Sequence, residues 1–334
     1  MAAFAAALAL GAAGALAARE GIVQLVARRK GRSSSRESTQ AGANASVSVT
    51  TAAVKPWQPA RDVGQPHPDW TPGTPQPCPL PGASEYQTID VATTPPGDVY
   101  PLVIAAVVPR PVAFISSVDA HGSVNLSPYS FFNAMGFDPP TVAIGLCHSK
   151  ARPEGKKDTL HNIEDTGEFV VNIMSEWFVE AANHCCGDYP RGVDEMRLAG
   201  LTPLASTKVK PPRVAESAVH MECKLRTIHH VTGRSGDVST SIVIGEVLAF
   251  HVSQAVAARS PSGRPTVDLV RLAPVARCGG VTYARSAELY DLPRPDGQGR
   301  YPQREAAAAA AAQQQQLKAG PVANGEKARH AAAS

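Results

Sequence analysis

Between about Ser84 and Pro295 the apolar runs of this chain are short and rich in β-branched residues. Runs of that kind suit strands and leave little room for long helices. Val112-Ala113-Phe114-Ile115-Ser116-Ser117-Val118 is the clearest. Asp119-Ala120-His121-Gly122 is a polar turn, and Ser123-Val124-Asn125-Leu126 returns, which predicts a hairpin. Thr141 to Cys147 and Phe169 to Met174 read as buried strands. His220 to His230 sets Met221, Cys223, Leu225 and Thr227 on one face, and Ser241 to Val252 sets Ile242, Ile244, Leu248 and Phe250 on one face. Gly245 interrupts the last strand and predicts a bulge or barrel corner. Helices are few. Ser175 is placed to cap Glu176 to Asn183, and Asp158 or Thr159 to cap a short helix reaching Glu164, with Gly167 just past its end. Asp194 to Ala199, ending at Gly200, is a third. Strand and helix do not alternate regularly, which argues against a doubly wound sheet. The expected class is mainly β with α, a barrel whose connections hold the helices.

The strand-rich window runs from about Ser84 to Pro295, inside a chain of 334 residues. Its flanks differ in composition. Residues 37–83 are rich in Ser, Thr, Pro and Gln without a hydrophobic period, and read as an extended linker. Trp57 and Trp70 lie in it, each a candidate to dock on the folded body. Residues 296–334 hold the Ala306–Ala312 and Gln313–Gln316 runs, a low-complexity tail. Residues 1–36 begin with an uncharged Ala-rich stretch and continue through Arg28 to Arg36 with Ser33, Ser34 and Ser35. That pattern favours an organelle transit segment, chloroplast or mitochondrial, over a secretory signal, which wants its positive charge first. The alternatives are a weak N-terminal membrane anchor, for which alanine supplies little hydrophobic drive, and a cytoplasmic chain. Residues 1–50 carry six basic and two acidic residues, a larger surplus than the net +3 of the whole chain. The basic balance therefore belongs to the leader and gives no reason to expect nucleic-acid binding.

Six cysteines occur, at 78, 147, 185, 186, 223 and 278, with no C-x-x-C pair. Zinc-ribbon and thioredoxin readings fail on that spacing, and a core of this size does not need a disulfide scaffold. Reduced, mostly buried thiols are expected. His229 and His230 are neighbours on a strand and point to opposite faces, so they do not chelate one ion readily. There is no G-x-G-x-x-G, Walker A loop, G-x-S-x-G or H-E-x-x-H.

Two segments stand apart. Asn125-Leu126-Ser127-Pro128-Tyr129-Ser130-Phe131-Phe132-Asn133 mixes small hydroxyls and amides with aromatics after a strand. That combination suits a flat heteroaromatic ligand with a polar tail, and equally an ordinary turn with core aromatics. Lys156-Lys157-Asp158-Thr159 opens a helix, where free N–H groups, a lysine and a hydroxyl attract phosphate. The plain alternative there is a helix cap behind solvated lysines. Taken together the segments propose a phosphorylated aromatic ligand. It would be a mononucleotide, since no dinucleotide fingerprint exists, with the chemistry carried by the ligand rather than by a protein nucleophile.

These residues resemble the flavin reductase-like family, of the flavoredoxin and nitrilotriacetate monooxygenase reductase-component type. The resemblance runs from about Tyr100 to Pro295. It rests on ordered blocks: Val108 to Phe114, Asn125 to Asn133, Asp138-Pro139-Pro140, Lys157-Asp158-Thr159 with Asn162-Ile163, Gly167 to Asn172, Val247 to His251 and Arg277 to Ala284. It implies an FMN-binding split β-barrel, a Greek-key barrel with flanking helices, and non-covalent FMN in a homodimer with sites near the interface. By position, Ser116 and Ser117 would lie on the strand that lines the isoalloxazine. Asn125, Ser127, Pro128, Tyr129 and Ser130 would hold the ring and ribityl chain. Lys157, Asp158 and Thr159 would meet the phosphate, and Gly279, Gly280 and Tyr283 would close the pocket. The activity so implied is hydride transfer from NADH or NADPH to FMN and onward to an acceptor, with Arg110 or Lys157 as the positive group near the flavin. Two other functions stay open: an FMN-binding sensor, storage or partner module without turnover, and a barrel with an empty site acting through its tails.

Overall fold

The computed structural model describes residues 61–301 and Gln313. The expected leader, the first part of the linker and the Ala/Gln runs except Gln313 lie outside the described residues. Seven strands form one sheet: β1 (Ala113–Val118), β2 (Val124–Tyr129), β3 (Phe132–Phe137), β4 (Pro140–Cys147), β5 (Glu168–Ile173), β6 (Val219–Thr232) and β7 (Val238–Val252). Their order is β2-β1-β5-β6-β7-β4-β3. Every adjacent pair is antiparallel.

That order closes the sheet. β2 and β3 are its two edges, yet only Ser130 and Phe131 separate them in sequence. A link that short reaches on the order of 10 Å at most. The edges must therefore meet, and the sheet is a barrel split along this seam. The Asn125–Asn133 segment singled out in the sequence straddles the seam.

The barrel interior holds Ala113, Ile115, Val142, Ile144, Leu146, Phe169, Val171, Met221, Cys223, Val243 and Val247. Helix α2 (Asp158–Thr166) adds Leu160 and Ile163 to it. The outer face of β1 and β2 is covered in turn. Phe114 and Leu126 pack there with Phe178, Ala182 and Cys185 around α3 (Val179–His184) and with Met196 of α4 (Glu195–Leu198). Both faces of β1 are thus covered, and all six of its residues are buried. All six thiols are free, but only Cys185 and Cys223 are buried, which corrects the expectation of mostly buried thiols. No helix among the described residues is long and apolar enough to cross a membrane.

The hairpin of β1 and β2 stands where expected. Four expectations need correction. On β7 the core face carries Val243 and Val247, while Leu248 and Phe250 are exposed. Gly245 shares the core face because the Phe169 ring fills its place: a Cβ on Gly245 would lie 2.4 Å from Phe169 Cζ. The bulge falls across from that glycine, where the register slips between Leu225 and Thr227, and it turns Thr227 out to solvent. Ser175 caps nothing. Its hydroxyl is buried without a partner, and a 3-10 turn (Glu176–Phe178) precedes α3. The N-cap of α2 is Lys157, with no side-chain cap, rather than Asp158 or Thr159. Finally, α1 (Pro96–Ala106) was not anticipated. Pro96 at its start and Asp98 in its first turn are the signals for it, masked by Pro101 inside.

Within the stretch read as linker, Arg61–Asp62 pairs in parallel with Glu288–Leu289. Trp70 makes a local turn, its indole N–H donating to the Thr74 carbonyl at 2.8 Å.

Candidate functional site at the barrel seam

Beneath the seam, five polar side chains join β1, β2 and α2. The Thr159 hydroxyl accepts from Asn125 Nδ2 at 2.8 Å and from the Tyr129 hydroxyl at 2.9 Å. The Ser117 hydroxyl accepts from Asn125 Nδ2 at 3.2 Å and from Asn162 Nδ2 at 3.1 Å. All five residues are buried, so each bond replaces one to water. Burial pushes the Tyr129 phenol above its usual range, and its bond to Thr159 pulls the other way. The network fixes the root of the seam segment to the helix that starts at the expected phosphate site.

Ser116 faces away from Ser117, as neighbours on a strand must. Its hydroxyl donates to the Pro212 carbonyl and accepts from Asn172 Nδ2 at 3.3 Å. The two serines therefore do not line one ring together. Ser127, Pro128 and Ser130, by contrast, are half-buried along the seam. A ligand can reach these three, together with Phe131, Phe132 and Asn133 of the same segment.

At the start of α2 the cations divide. Lys156 Nζ bonds Glu164 Oε2 at 2.8 Å, and Arg152 pairs with Asp188 at 2.5 Å and Asp158 at 3.5 Å. The Lys157 carbonyl accepts the Leu160 and His161 N–H groups, but its ammonium makes no hydrogen bond or ion pair among the described residues. It sits at the N-cap of a helix whose first turn no side chain caps. A free ammonium beside an uncapped helix start fits the phosphate of a mononucleotide. Thr159 does not contribute its hydroxyl there, because the buried network holds it.

Arg110 is buried and spent. Its guanidinium donates to the carbonyls of Ile104 and Val107 (2.8 Å for the latter) and reaches Ser130 Oγ at 3.4 Å. It ties the end of α1 to Ser130 at the seam. Gly279, Gly280 and Tyr283 assemble next to it, since Val275–Arg277 pairs with Arg110–Pro111. Gly279 has φ 90° and a Cβ there would lie 3.5 Å from the Ile104 carbonyl. The Tyr283 hydroxyl donates to Asn183 Oδ1 at 3.0 Å, under the Arg277 guanidinium 4.5 Å from its ring centre. Arg110 is the link from this block to the seam.

A groove of about 730 Å³ opens beside the α2 start, lined by His148, Lys150, Arg152, Lys156 and His230 among others. Both histidines bond the Ser241 hydroxyl, at 2.8 and 2.9 Å. Sequence reading did not single out three buried polar groups. Asn162 lies inside a quoted block but was given no role. Glu195 was read only as the start of a helix. Glu222 is fully buried, and accepts the N–H groups of Thr207 and Lys208, with His251 Nε2 2.7 Å away. Burial raises its pKa, but these donors outweigh that and leave it below the usual carboxylate range. An acidic residue amid apolar strand positions was the available signal for it.

The sequence pattern of the Flavin reductase like domain matches residues 105–267. An uncharacterized protein of Halalkalibacterium halodurans is 35% identical over 197 residues, which cover 59% of this chain and 90% of that protein. Among solved structures, nitrilotriacetate monooxygenase component B from Bacillus cereus superposes with a TM-score of 0.57 at 32% identity, over 62% of this chain and 98% of its own. The 2-nitrobenzoate 2-nitroreductase of Pseudomonas fluorescens superposes with a TM-score of 0.55 at 29% identity, over 63% of this chain and 98% of its own.

Proposed function

The chain belongs to the flavin reductase-like family, and from that premise we propose that it binds FMN at the barrel seam and works as an NAD(P)H-dependent flavin oxidoreductase. The observation that carries the reading is the pairing of the half-buried Ser127–Ser130 edge with the free Lys157 at the uncapped start of α2. One end suits a flat ring and the other a phosphate, and the buried Asn125–Thr159 bond holds the two in register. Bound there, the flavin supplies acceptance of hydride from NADH or NADPH and its passage to an acceptor. The chain supplies binding and orientation: Lys157 the phosphate charge, Ser127 and Ser130 donors and acceptors along the edge, Tyr283 an aromatic side wall.

The same reading makes the protein a homodimer. Large apolar side chains on β3 and β7, among them Phe137 and Phe250, are exposed and fit a face that a second copy covers.

The test uses the purified full-length chain loaded with FMN. Its visible flavin bands should bleach when NADH or NADPH is added without oxygen, and the faster nucleotide ranks the two. Absence of flavin bands after incubation with FMN overturns the proposal. Bands that persist with both nucleotides overturn the reductase and leave the non-catalytic flavin module.

A further inference from the structure

β2 is an edge strand, so the backbone groups on its outer side have no strand to bond. Leu126, between Asn125 and Ser127, presents one of them. Its N–H donates to Oε2 of Glu195 at 3.0 Å. Leu126 is fully buried and Glu195 is 6% exposed, so water does not take over this bond. The carboxylate stands in for the missing strand. Its own helix is braced: Asp194 Oδ1 accepts the Arg197 N–H at 3.1 Å, and Met196 packs in the same cluster as Leu126.

This arrangement is not the cheapest way to fill the space. Burial pushes the Glu195 carboxyl up, the Leu126 N–H pulls it down, and the nearby Asp158 and Asp194 charges push it up further. An apolar residue would avoid that cost but would leave the Leu126 N–H unpaired. The seam segment is therefore held from two sides, by the Asn125–Thr159 bond within and by Glu195 without.

We propose that Glu195 is a positioning residue for flavin binding, fixing the edge strand at Leu126 so that Ser127, Pro128 and Ser130 keep the shape that receives the ring. The inference rests on the flavin site proposed above.

Two conservative variants separate reach from charge. Glu195→Gln keeps an acceptor at the same distance without the charge. Glu195→Asp keeps the charge and withdraws the acceptor by about 1.5 Å, beyond hydrogen-bond range. Fluorescence titration of the full-length chain with FMN should show Glu195→Gln within about threefold of wild type and Glu195→Asp about tenfold weaker. Wild-type affinity in Glu195→Asp overturns the inference. So does a Glu195→Gln variant as weak as Glu195→Asp, because charge and not the bond would then matter. Amide exchange at Leu126 in the flavin-free protein is the second readout. It should be about tenfold faster in Glu195→Asp than in wild type, and unchanged exchange overturns the inference even if the first variant folds poorly. Should wild type bind no flavin at all, the proposed function falls, while the exchange measurement still judges the clamp.

Discussion

The Thr159 hydroxyl accepts hydrogen bonds from Asn125 and Tyr129, two buried donors. Thr159→Val removes that acceptor and leaves the Tyr129 hydroxyl and one N–H of Asn125 unpaired, while Asn125 keeps its bond to Ser117. Each unpaired buried donor costs about 1–3 kcal/mol, so denaturant unfolding should show a loss of roughly 2–5 kcal/mol. Lys157 has no such duty. Lys157→Ala should leave stability within about 0.5 kcal/mol of wild type and weaken FMN about tenfold by fluorescence titration. A stable Thr159→Val or an unaltered FMN affinity in Lys157→Ala would contradict the division of roles. Histidines set the acid limit. Burial holds His220 below the ordinary value of 6.5, and burial does the same for His148. The unfolded chain then binds the proton more readily than the native one. Their contribution to stability is fully present above pH 6.5 and is lost as pH falls through the lower native values. Unfolding free energy should therefore decline below that point, and His220→Gln, whose amide can still donate to the Val214 carbonyl, should decline less steeply.

Strand β7 shows what an element can hide. A glycine in its middle reads as an interruption, yet Gly245 is where the fully buried Phe169 ring enters the wall of the barrel. Gly245→Ala puts a methyl 2.4 Å from Phe169 Cζ, and the ring has no solvent side to move toward. Overpacking of that kind costs about 1–3 kcal/mol. Thermal and denaturant unfolding should show it, and Phe169→Leu in the same chain should recover part of the loss. Equal stability of Gly245→Ala and wild type would refute the packing argument. The strands themselves were legible because alternation and β-branching are local. Which face of β7 turned inward was not, because the large residues Ile242, Ile244, Leu248 and Phe250 outweigh Val243 and Val247 when only the strand is read. The cap of α2 was misread for a similar reason. Thr159 has the chemistry of a cap, but Asn125 and Tyr129 arrive from residues far along the chain and take its hydroxyl.

At the scale of the molecule, β2 and β3 are consecutive in sequence and lie at opposite edges of the sheet. Periodicity cannot reveal that, since strand order depends on pairings such as Val171 with Met221, across some fifty residues of chain. The family resemblance supplied the split barrel, and the short Ser130–Phe131 link accounts for it physically. The site residues were found as separate blocks, and only the fold shows that Arg110 ties the C-terminal block to the seam. Among the described residues, part of the sheet's surface also stays uncovered. β3 and β7 flank β4, and on them Phe137 is 91% exposed, Met135 62%, Phe250 55% and Leu248 40%. Two phenylalanines, a methionine and a leucine exposed on strands either side of β4 fit the face of the homodimer proposed above, because leaving them in water forfeits about 25 cal/mol for each Å² of apolar surface. If the proposed homodimer uses this face, Phe137→Asp with Phe250→Asp places two carboxylates on each copy where the apolar surfaces would meet. The wild-type chain should then run as a dimer by light scattering and the double variant as a monomer. Both positions lie outside the barrel core, so the variant's circular dichroism should match wild type. A variant that stays dimeric would move the interface elsewhere, and a wild-type monomer would remove the homodimer from the proposal altogether.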